Sequence, residues 1–70
     1  MASQKNITIV TTYSTDDFRI YIDGNLYTVY KIFYGFGTNK KIGEAHSFEE
    51  AVMLARSCLR GTFKELKIKD

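Results

Sequence analysis

The chain has 70 residues, a length that allows one small domain with a thin hydrophobic core. Its composition, 44% hydrophobic and 26% charged without proline, is too apolar for a disordered chain. Its apolar runs fall far short of the ~20 residues of a membrane span. The single cysteine excludes an internal disulfide, and the net charge of +2 is small for a nucleic-acid-binding domain.

The first half of the chain predicts three antiparallel strands joined by polar turns. Residues 6–13 are rich in β-branched side chains and predict the first strand, whereas residues 1–5 are polar and predict a disordered end. Residues 18–22 alternate between apolar and polar side chains and predict the second strand. Residues 23–25 (Asp-Gly-Asn) predict a tight hairpin turn, because glycine and asparagine tolerate positive φ. Residues 26–36 then predict a long third strand.

A second turn and a fourth strand lead to a helix. Residues 38–41 predict the polar turn and residues 42–45 the strand. Beyond them, apolar residues recur every three or four positions, which predicts a helix over Phe48–Arg60. Ser47 and Glu50 have the spacing of a capping box, in which each side chain bonds the other residue's backbone amide. The predicted apolar stripe of the helix consists of Phe48, Ala51, Val52, Leu54, Ala55, Cys58 and Leu59.

The last segment predicts a strand at the edge of the sheet. Gly61 predicts the end of the helix, and residues 63–69 alternate in a pattern whose lysines are typical of a protected edge strand. The element order is therefore β-β-β-β-α-β within a single domain, residues 1–70. It predicts an α+β fold, an antiparallel sheet of four to five strands with one helix packed on one face.

One helix covers only one face of such a sheet, so the alternation also predicts a helix-free face. If residues 23 and 24 form a two-residue turn, Ile20 pairs with Tyr27 on the helix side. A one-residue bulge in the turn would exchange part of the third strand between the faces. Alternatively, the sheet curls or the N-terminal segment folds over the helix-free face, and that face is then covered. A wide apolar patch on a small protein usually marks an interface. The residues predicted to bind a partner, as the centre and basic rim of this face, are Arg19, Tyr21, Tyr30, Lys31, Tyr34, Phe36, Lys40 and Lys41.

The residues that could carry catalysis or bind a metal are few. His46 is the only histidine, and a catalytic histidine needs a nucleophile and an orienting carboxylate beside it. Cys58 falls on the apolar stripe, which predicts a buried, inert thiol. The Gly-Phe-Gly of residues 35–37 lacks the Gly-Lys-Ser/Thr ending of a phosphate-binding loop. We therefore predict no enzymatic activity, no metal and no cofactor, with a phosphate contact by Lys40 and Lys41 as an alternative.

Part of the chain resembles a known class of inhibitors. Residues 44–51 (Glu-Ala-His-Ser-Phe-Glu-Glu-Ala), followed by Ala55, residues 61–62 (Gly-Thr) and Ile68, resemble the helix-to-last-strand segment of small phage-encoded anti-CRISPR proteins. The resemblance does not extend to the first half of the chain. It implies a stoichiometric inhibitor, encoded by a phage or mobile element, that blocks a host protein or nucleoprotein complex through a surface.

A second resemblance concerns DNA-binding domains. Three strands followed by a helix, with Phe48 and Ala55 at the helix entry, are similar to AP2-type and integrase N-terminal domains. In those domains the sheet enters the major groove and arginine or tryptophan side chains reach the bases. This sequence has Arg19 and Lys31 as the basic residues within the candidate strands that would face the groove, and it has no tryptophan.

These observations predict a non-catalytic protein-binding module in the cytoplasm, without a membrane partner. A homodimer formed through the same face is a further option, since a small domain gains stability from a partner. The alternative is a small nucleic-acid-binding domain that uses Lys31, Lys40, Lys41 and the C-terminal lysines. A continuous basic stripe would favour nucleic acid, whereas an apolar patch with scattered charges would favour a protein.

Overall fold

In a computed structural model of the chain, which describes residues 2–33 and 39–69, a five-stranded antiparallel sheet carries one helix on one face. The elements are β1 (Ala2–Thr11), β2 (Thr15–Asp23), β3 (Leu26–Ile32), β4 (Asn39–Ala45), α1 (Phe48–Ser57) and β5 (Phe63–Lys69). The strands lie in the order β4-β3-β2-β1-β5, and all neighbouring strands are antiparallel. The structure confirms the predicted α+β fold and its element order.

The helix makes the connection between the two edges of the sheet. Each neighbouring pair is antiparallel, so β4 and β5 run in the same direction at opposite edges. The chain must therefore run back from the end of β4 to the start of β5 on the other edge. α1 makes this crossing over one face of the sheet, with a rise of roughly 1.5 Å per residue. β5 then pairs with β1, where Leu66 lies opposite Ile9 and Ile68 opposite Ile7. The predicted edge strand is therefore an edge strand in the structure.

The core lies between the helix and the middle three strands. Ala51 and Ala55, which are one turn apart on α1, are both fully buried and allow the helix to approach the sheet closely. Phe18 is the largest fully buried side chain. The buried apolar residues are Ile7, Ile9, Phe18, Ile20, Val29, Ala45, Ala51 and Ala55.

The hairpin between β2 and β3 has a different register from the predicted one. Its turn consists of Gly24 (φ 61°) and Asn25, so Ile20 pairs with Val29 instead of Tyr27. A glycine with positive φ at the first central position is typical of a type II′ turn. Because side chains alternate with a period of two, this two-residue shift leaves the apolar side chains of the hairpin on their predicted faces.

Several strands begin earlier than the sequence predicts. β1 begins at Ala2, which lies opposite Asp23, so residues 2–5 belong to the strand and the prediction of a disordered end does not hold for them. β4 begins at Asn39, so residues 39–41 are strand instead of turn. Pairing with a neighbouring strand satisfies the backbone groups of these polar segments. Residues 34–38, which include Tyr34, Phe36 and the predicted end of the third strand, lie outside the described residues.

The helix ends at Ser57, three residues before its predicted end at Arg60. The N–H of Cys58 donates to the carbonyl oxygen of Ala55 at 3.2 Å, and the N–H of Leu59 donates to that of Arg56 at 3.1 Å. These bonds tighten the last turn and rotate Cys58 out of the apolar stripe. Cys58 is exposed, so its predicted burial is wrong. Leu59 is half-buried and packs against the core from the segment after the helix.

The start of the helix is capped as predicted. The Oγ of Ser47 accepts a hydrogen bond from the N–H of Glu50 at 3.1 Å. In return, Oε2 of Glu50 accepts from the N–H of His46 at 3.2 Å, one residue before the amide expected for a capping box.

Replacing Ser47 with alanine should lower the free energy of unfolding by about 0.5–2 kcal/mol, because the Glu50 amide loses its partner. Chemical denaturation at an unchanged m-value measures this loss. Ser57→Ala is the matched control at the other end of α1, where an exposed hydroxyl donates to the carbonyl oxygen of Leu54 at 2.7 Å. We expect the control to change stability by less than about 0.5 kcal/mol, and equal losses for both variants would contradict the cap assignment.

Candidate partner-binding face

The open face is the side of the sheet that points away from α1. Cross-strand partners point to the same side of a sheet, so the register defines which side chains belong to it. Its described members are Ala2, Gln4, Asn6, Thr8, Val10, Thr15, Asp17, Arg19, Tyr21, Asp23, Leu26, Thr28, Tyr30, Ile32, Asn39, Lys41, Glu44, Glu65, Lys67 and Lys69.

Two tyrosines lie side by side near the middle of the open face. The ring centroids of Tyr21 in β2 and Tyr30 in β3 are 5.4 Å apart, with the ring planes at 89°. This T-shaped geometry is the one that aromatic pairs prefer. Tyr21 is 38% exposed, and the half-buried Tyr30 supports it. The sequence prediction that aromatic side chains are left without a helix over them is therefore confirmed at these two positions.

An arginine lies next to the tyrosine pair and is held by β1. Arg19 is the cross-strand partner of both Tyr30 and Asn6. Its Nε donates a hydrogen bond to Oδ1 of Asn6 at 3.0 Å. This bond orients the guanidinium group across β1 and β2, so the tyrosines have a positioned cation beside them.

Polar pairs surround the tyrosines, so the described open face is not a continuous apolar patch. The hydroxyl of Thr8 donates to Oδ1 of Asp17 at 2.5 Å, and Thr8 is only 8% exposed. Nζ of Lys41 lies 3.3 Å from Oε2 of Glu44. Leu26 is the other large apolar side chain on the described face that is more than one third exposed.

The charges of the open face are balanced. The described residues of this face include four basic and four acidic side chains. A polyanion gains little from such a surface, because its affinity depends on a surplus of cations. Interspersed charges of both signs instead suit a protein surface with the complementary pattern. The eight residues are Arg19, Lys41, Lys67, Lys69, Asp17, Asp23, Glu44 and Glu65.

Two of the predicted rim residues lie on the other side of the sheet. Lys31 pairs with the fully buried Phe18, and Lys40 pairs with Lys31, so both lysines are on the helix side. Nζ of Lys31 lies 3.7 Å from Oδ1 of Asp16 and 5.2 Å from the ring centroid of Phe33. Neighbouring residues on a strand point to opposite faces, so Lys31 cannot share a face with Tyr30. The prediction that Lys31 and Lys40 form the rim is wrong, whereas Arg19 and Lys41 do lie on the open face.

The residues considered for catalysis have structural contacts. The hydroxyl of Ser47 caps α1, and the backbone amide of His46 binds the Glu50 carboxylate. The thiol of Cys58 is exposed and donates to the carbonyl oxygen of Leu54 at 3.6 Å. Over residues 2–33 and 39–69, no three histidine, cysteine or acidic side chains lie together as metal ligands. Within the same ranges, no helix is long and apolar enough to cross a membrane.

A groove on the helix side was not predicted. It runs between α1 and β5, has a volume of about 340 Å³, and has Ile9, Met53, Leu59 and Phe63 among its lining residues. The guanidinium carbon of Arg56 lies 4.1 Å from the ring centroid of Phe63, a cation–π contact between the two elements. The sequence contains no signal for this contact, because helix and strand residues meet here only after β5 has paired with β1.

Comparisons of the chain with protein-family models, with curated proteins and with solved structures give no match. The resemblances to anti-CRISPR inhibitors and to AP2-type domains therefore stay predictions from the residues that carry them.

Proposed function

We propose that this chain is a non-catalytic protein-binding domain that docks its open face onto a partner protein. The observation that carries the proposal is the Tyr21–Tyr30 pair with Arg19 beside it. Tyrosine and arginine are the side chains, together with tryptophan, that most often dominate binding energy at protein interfaces. A tyrosine contributes a large apolar ring and a polar tip at a small cost in side-chain entropy.

The rigidity of the site supports the same function. Tyr21 and Tyr30 lie on β2 and β3, which are interior strands of the sheet. The bond from Arg19 to Asn6 and the bond from Thr8 to Asp17 hold the polar neighbours in place. Side chains that are already ordered lose less conformational entropy on binding, so more of the contact energy appears as affinity.

The balanced charge favours a partner surface with both signs over a purely acidic one. Because of the resemblance to anti-CRISPR inhibitors, the first class of partner to test is a host protein within a nucleoprotein complex. Binding would then take place in the cytoplasm. In that role the chain would inhibit by occupying a surface of the complex, without a chemical step.

Tyr30→Ala should weaken partner binding by about tenfold to a hundredfold, because the variant loses a central ring and the support of Tyr21. Affinity capture with the wild-type chain identifies the partner, and titration calorimetry with purified partner then measures the change. Tyr13→Ala is the matched control, since Tyr13 is 78% exposed and lies in the turn after β1, away from the open face. We expect the control to alter the affinity by less than about twofold. Equal affinity of the wild type and Tyr30→Ala would contradict the proposal.

One observation favours nucleic acid as a second candidate. Lys69, Asn6, Arg19, Tyr30 and Lys41 are successive cross-strand partners through all five strands. Cations interleaved with an aromatic ring are the pattern by which single-stranded nucleic acids are bound without sequence preference.

The two candidates differ in their response to salt. Three phosphate contacts predict that affinity for a single-stranded oligonucleotide falls by about tenfold or more between roughly 50 and 200 mM salt. Fluorescence anisotropy with a labelled oligonucleotide measures this dependence, and Lys41→Gln should reduce the slope. Tight, salt-dependent binding of this kind, together with weak binding to every captured protein, would replace the protein-binding proposal.

A further inference from the structure

The outer side of β5 is a sheet edge that is open to strand pairing. β1 occupies its inner side, and in the described part of the chain no strand pairs with its outer side. An edge strand presents a row of backbone donors and acceptors to any strand that fits. α1 packs nearest to β3 and β4 and reaches the start of β5, where Arg56 contacts Phe63.

Apolar side chains of β5 are also left exposed. Ile68 is 51% exposed and Phe63 is 37% exposed, although both lie on the helix side of the sheet. Apolar exposure along a free edge is the combination that other sheet proteins avoid or use for pairing.

We propose that β5 pairs with β5 of a second copy of the chain, antiparallel and with the two-fold axis at Leu66. In this register Leu66 lies opposite Leu66 of the second copy, on the helix side. Glu65 lies opposite Lys67 of the second copy, and the symmetry repeats that pair. Ile68 lies opposite Lys64 of the second copy, whose alkyl chain covers the exposed apolar surface. The pairing joins the two sheets into one.

The charges of β5 select this register and this partner. The two-fold axis must pass through a residue. An axis between two residues would place residues whose N–H and C=O groups point toward the second copy opposite residues whose groups point away from it. An axis at Glu65 places that carboxylate opposite its own copy, and an axis at Lys67 places two ammonium groups opposite each other. Centred on Leu66, residues 64–68 lie opposite residues 64–68 of the second copy, and no like charges are directly opposite. The β-bulge at Lys64 ends the ladder before Phe63 and Lys69, which lie on different faces of the sheet. A second copy supplies Glu65 opposite Lys67 twice, and this charge complementarity is the reason for choosing a second copy as the occupant.

This inference does not rest on the proposed function, since the β5 edge and the Tyr21–Tyr30 pair are separate surfaces. A dimer of this kind would place two open faces in one continuous sheet of ten strands. Two equivalent binding faces on one particle would raise the apparent affinity for a partner with repeated sites.

Sedimentation velocity of the full chain, from about 1 μM to 1 mM, tests the proposal. The wild type should form a dimer within this range. Glu65→Lys and Lys67→Glu should each weaken self-association by about tenfold or more, because two opposite-charge pairs become two like-charge pairs. When the two variants are mixed in equal amounts, every such pair is again oppositely charged, and native mass spectrometry should detect a heterodimer. Circular dichroism confirms that each variant is folded before the mixing experiment.

Tyr21→Ala separates this dimer from one formed through the open face, because it should leave the β5 dimer unchanged. A wild type that stays monomeric at about 1 mM would overturn the proposal, since such an interface would be weaker than millimolar. Failure of the two folded charge variants to form a heterodimer would overturn the register. Loss of the dimer in Tyr21→Ala would assign dimerisation to the open face instead.

Discussion

Replacing Phe18 with alanine should lower the free energy of unfolding by about 3–5 kcal/mol. Phe18 is fully buried in β2, between Ile7 of β1 and Lys31 of β3 as cross-strand partners. The loss combines the transfer of the ring out of water with the cavity that remains beneath α1. A chain of this length has a total stability of about 4–10 kcal/mol, so this variant should be close to unfolded at ordinary temperature.

Tyr21→Ala is the matched control for Phe18→Ala, because Tyr21 is an aromatic residue on the opposite face of the same strand. Tyr21 is 38% exposed, so the alanine variant loses only the T-shaped contact with Tyr30 and the burial of part of the ring. We expect a loss of less than about 2 kcal/mol. Urea denaturation followed by circular dichroism compares the two variants, and a similar midpoint for both would show that Phe18 is not the centre of the core.

Replacing Gly61 with alanine should destabilise the chain by about 2–3 kcal/mol. Gly61 has a φ of 90°, a conformation that side chains with a Cβ rarely adopt. An added Cβ would also overlap Oγ1 of Thr12 and approach Cδ2 of Tyr13 to 2.8 Å. Thr12 cannot move away freely, because its Oγ1 accepts from the N–H of Thr62 at 3.1 Å and its N–H donates to the Thr62 carbonyl oxygen at 3.0 Å.

Gly24→Ala separates the backbone effect from the contact. Gly24 also has a positive φ, 61°, but an added Cβ would meet nothing within 4 Å. This variant should therefore lose only the conformational contribution, about 1 kcal/mol. Thermal unfolding of both variants measures the difference. If Gly24→Ala were as destabilising as Gly61→Ala, the proximity of Gly61 to the turn after β1 would have no energetic role.

The helix start and the last strand could be predicted because their signals are local. Ser47 and Glu50 have capping-box spacing, and the hydrogen bond from Glu50 to Ser47 is present in the structure. The bounds of β5, Phe63–Lys69, match the alternating segment that follows Gly61. Alternation also predicted that Tyr21 and Tyr30 share the face without the helix, since that property depends only on the period of a strand.

Other boundaries depended on neighbours that the sequence does not identify. The apolar side chains of Cys58 and Leu59 continue the helical stripe, yet α1 ends at Ser57 and Leu59 packs on the core from outside the helix. Ala2 lies in β1 because it has Asp23 opposite it. In both places a tertiary contact decided between two locally acceptable backbone conformations.

The sequence by itself determined the kind and order of the elements, the helix cap and the division of the apolar hairpin residues between two faces. These properties follow from periods of 2 and 3.6 residues and from hydrogen bonds between near neighbours. Only the tertiary structure decided that β5 lies beside β1, that Ile20 pairs with Val29, and that Lys31 and Lys40 lie on the helix side with the buried Phe18. Each of these depends on which of several similar strands meet and in which register. That choice is set by the packing of side chains distant in sequence, such as Leu66 against the core beside Ile9, which no local pattern records.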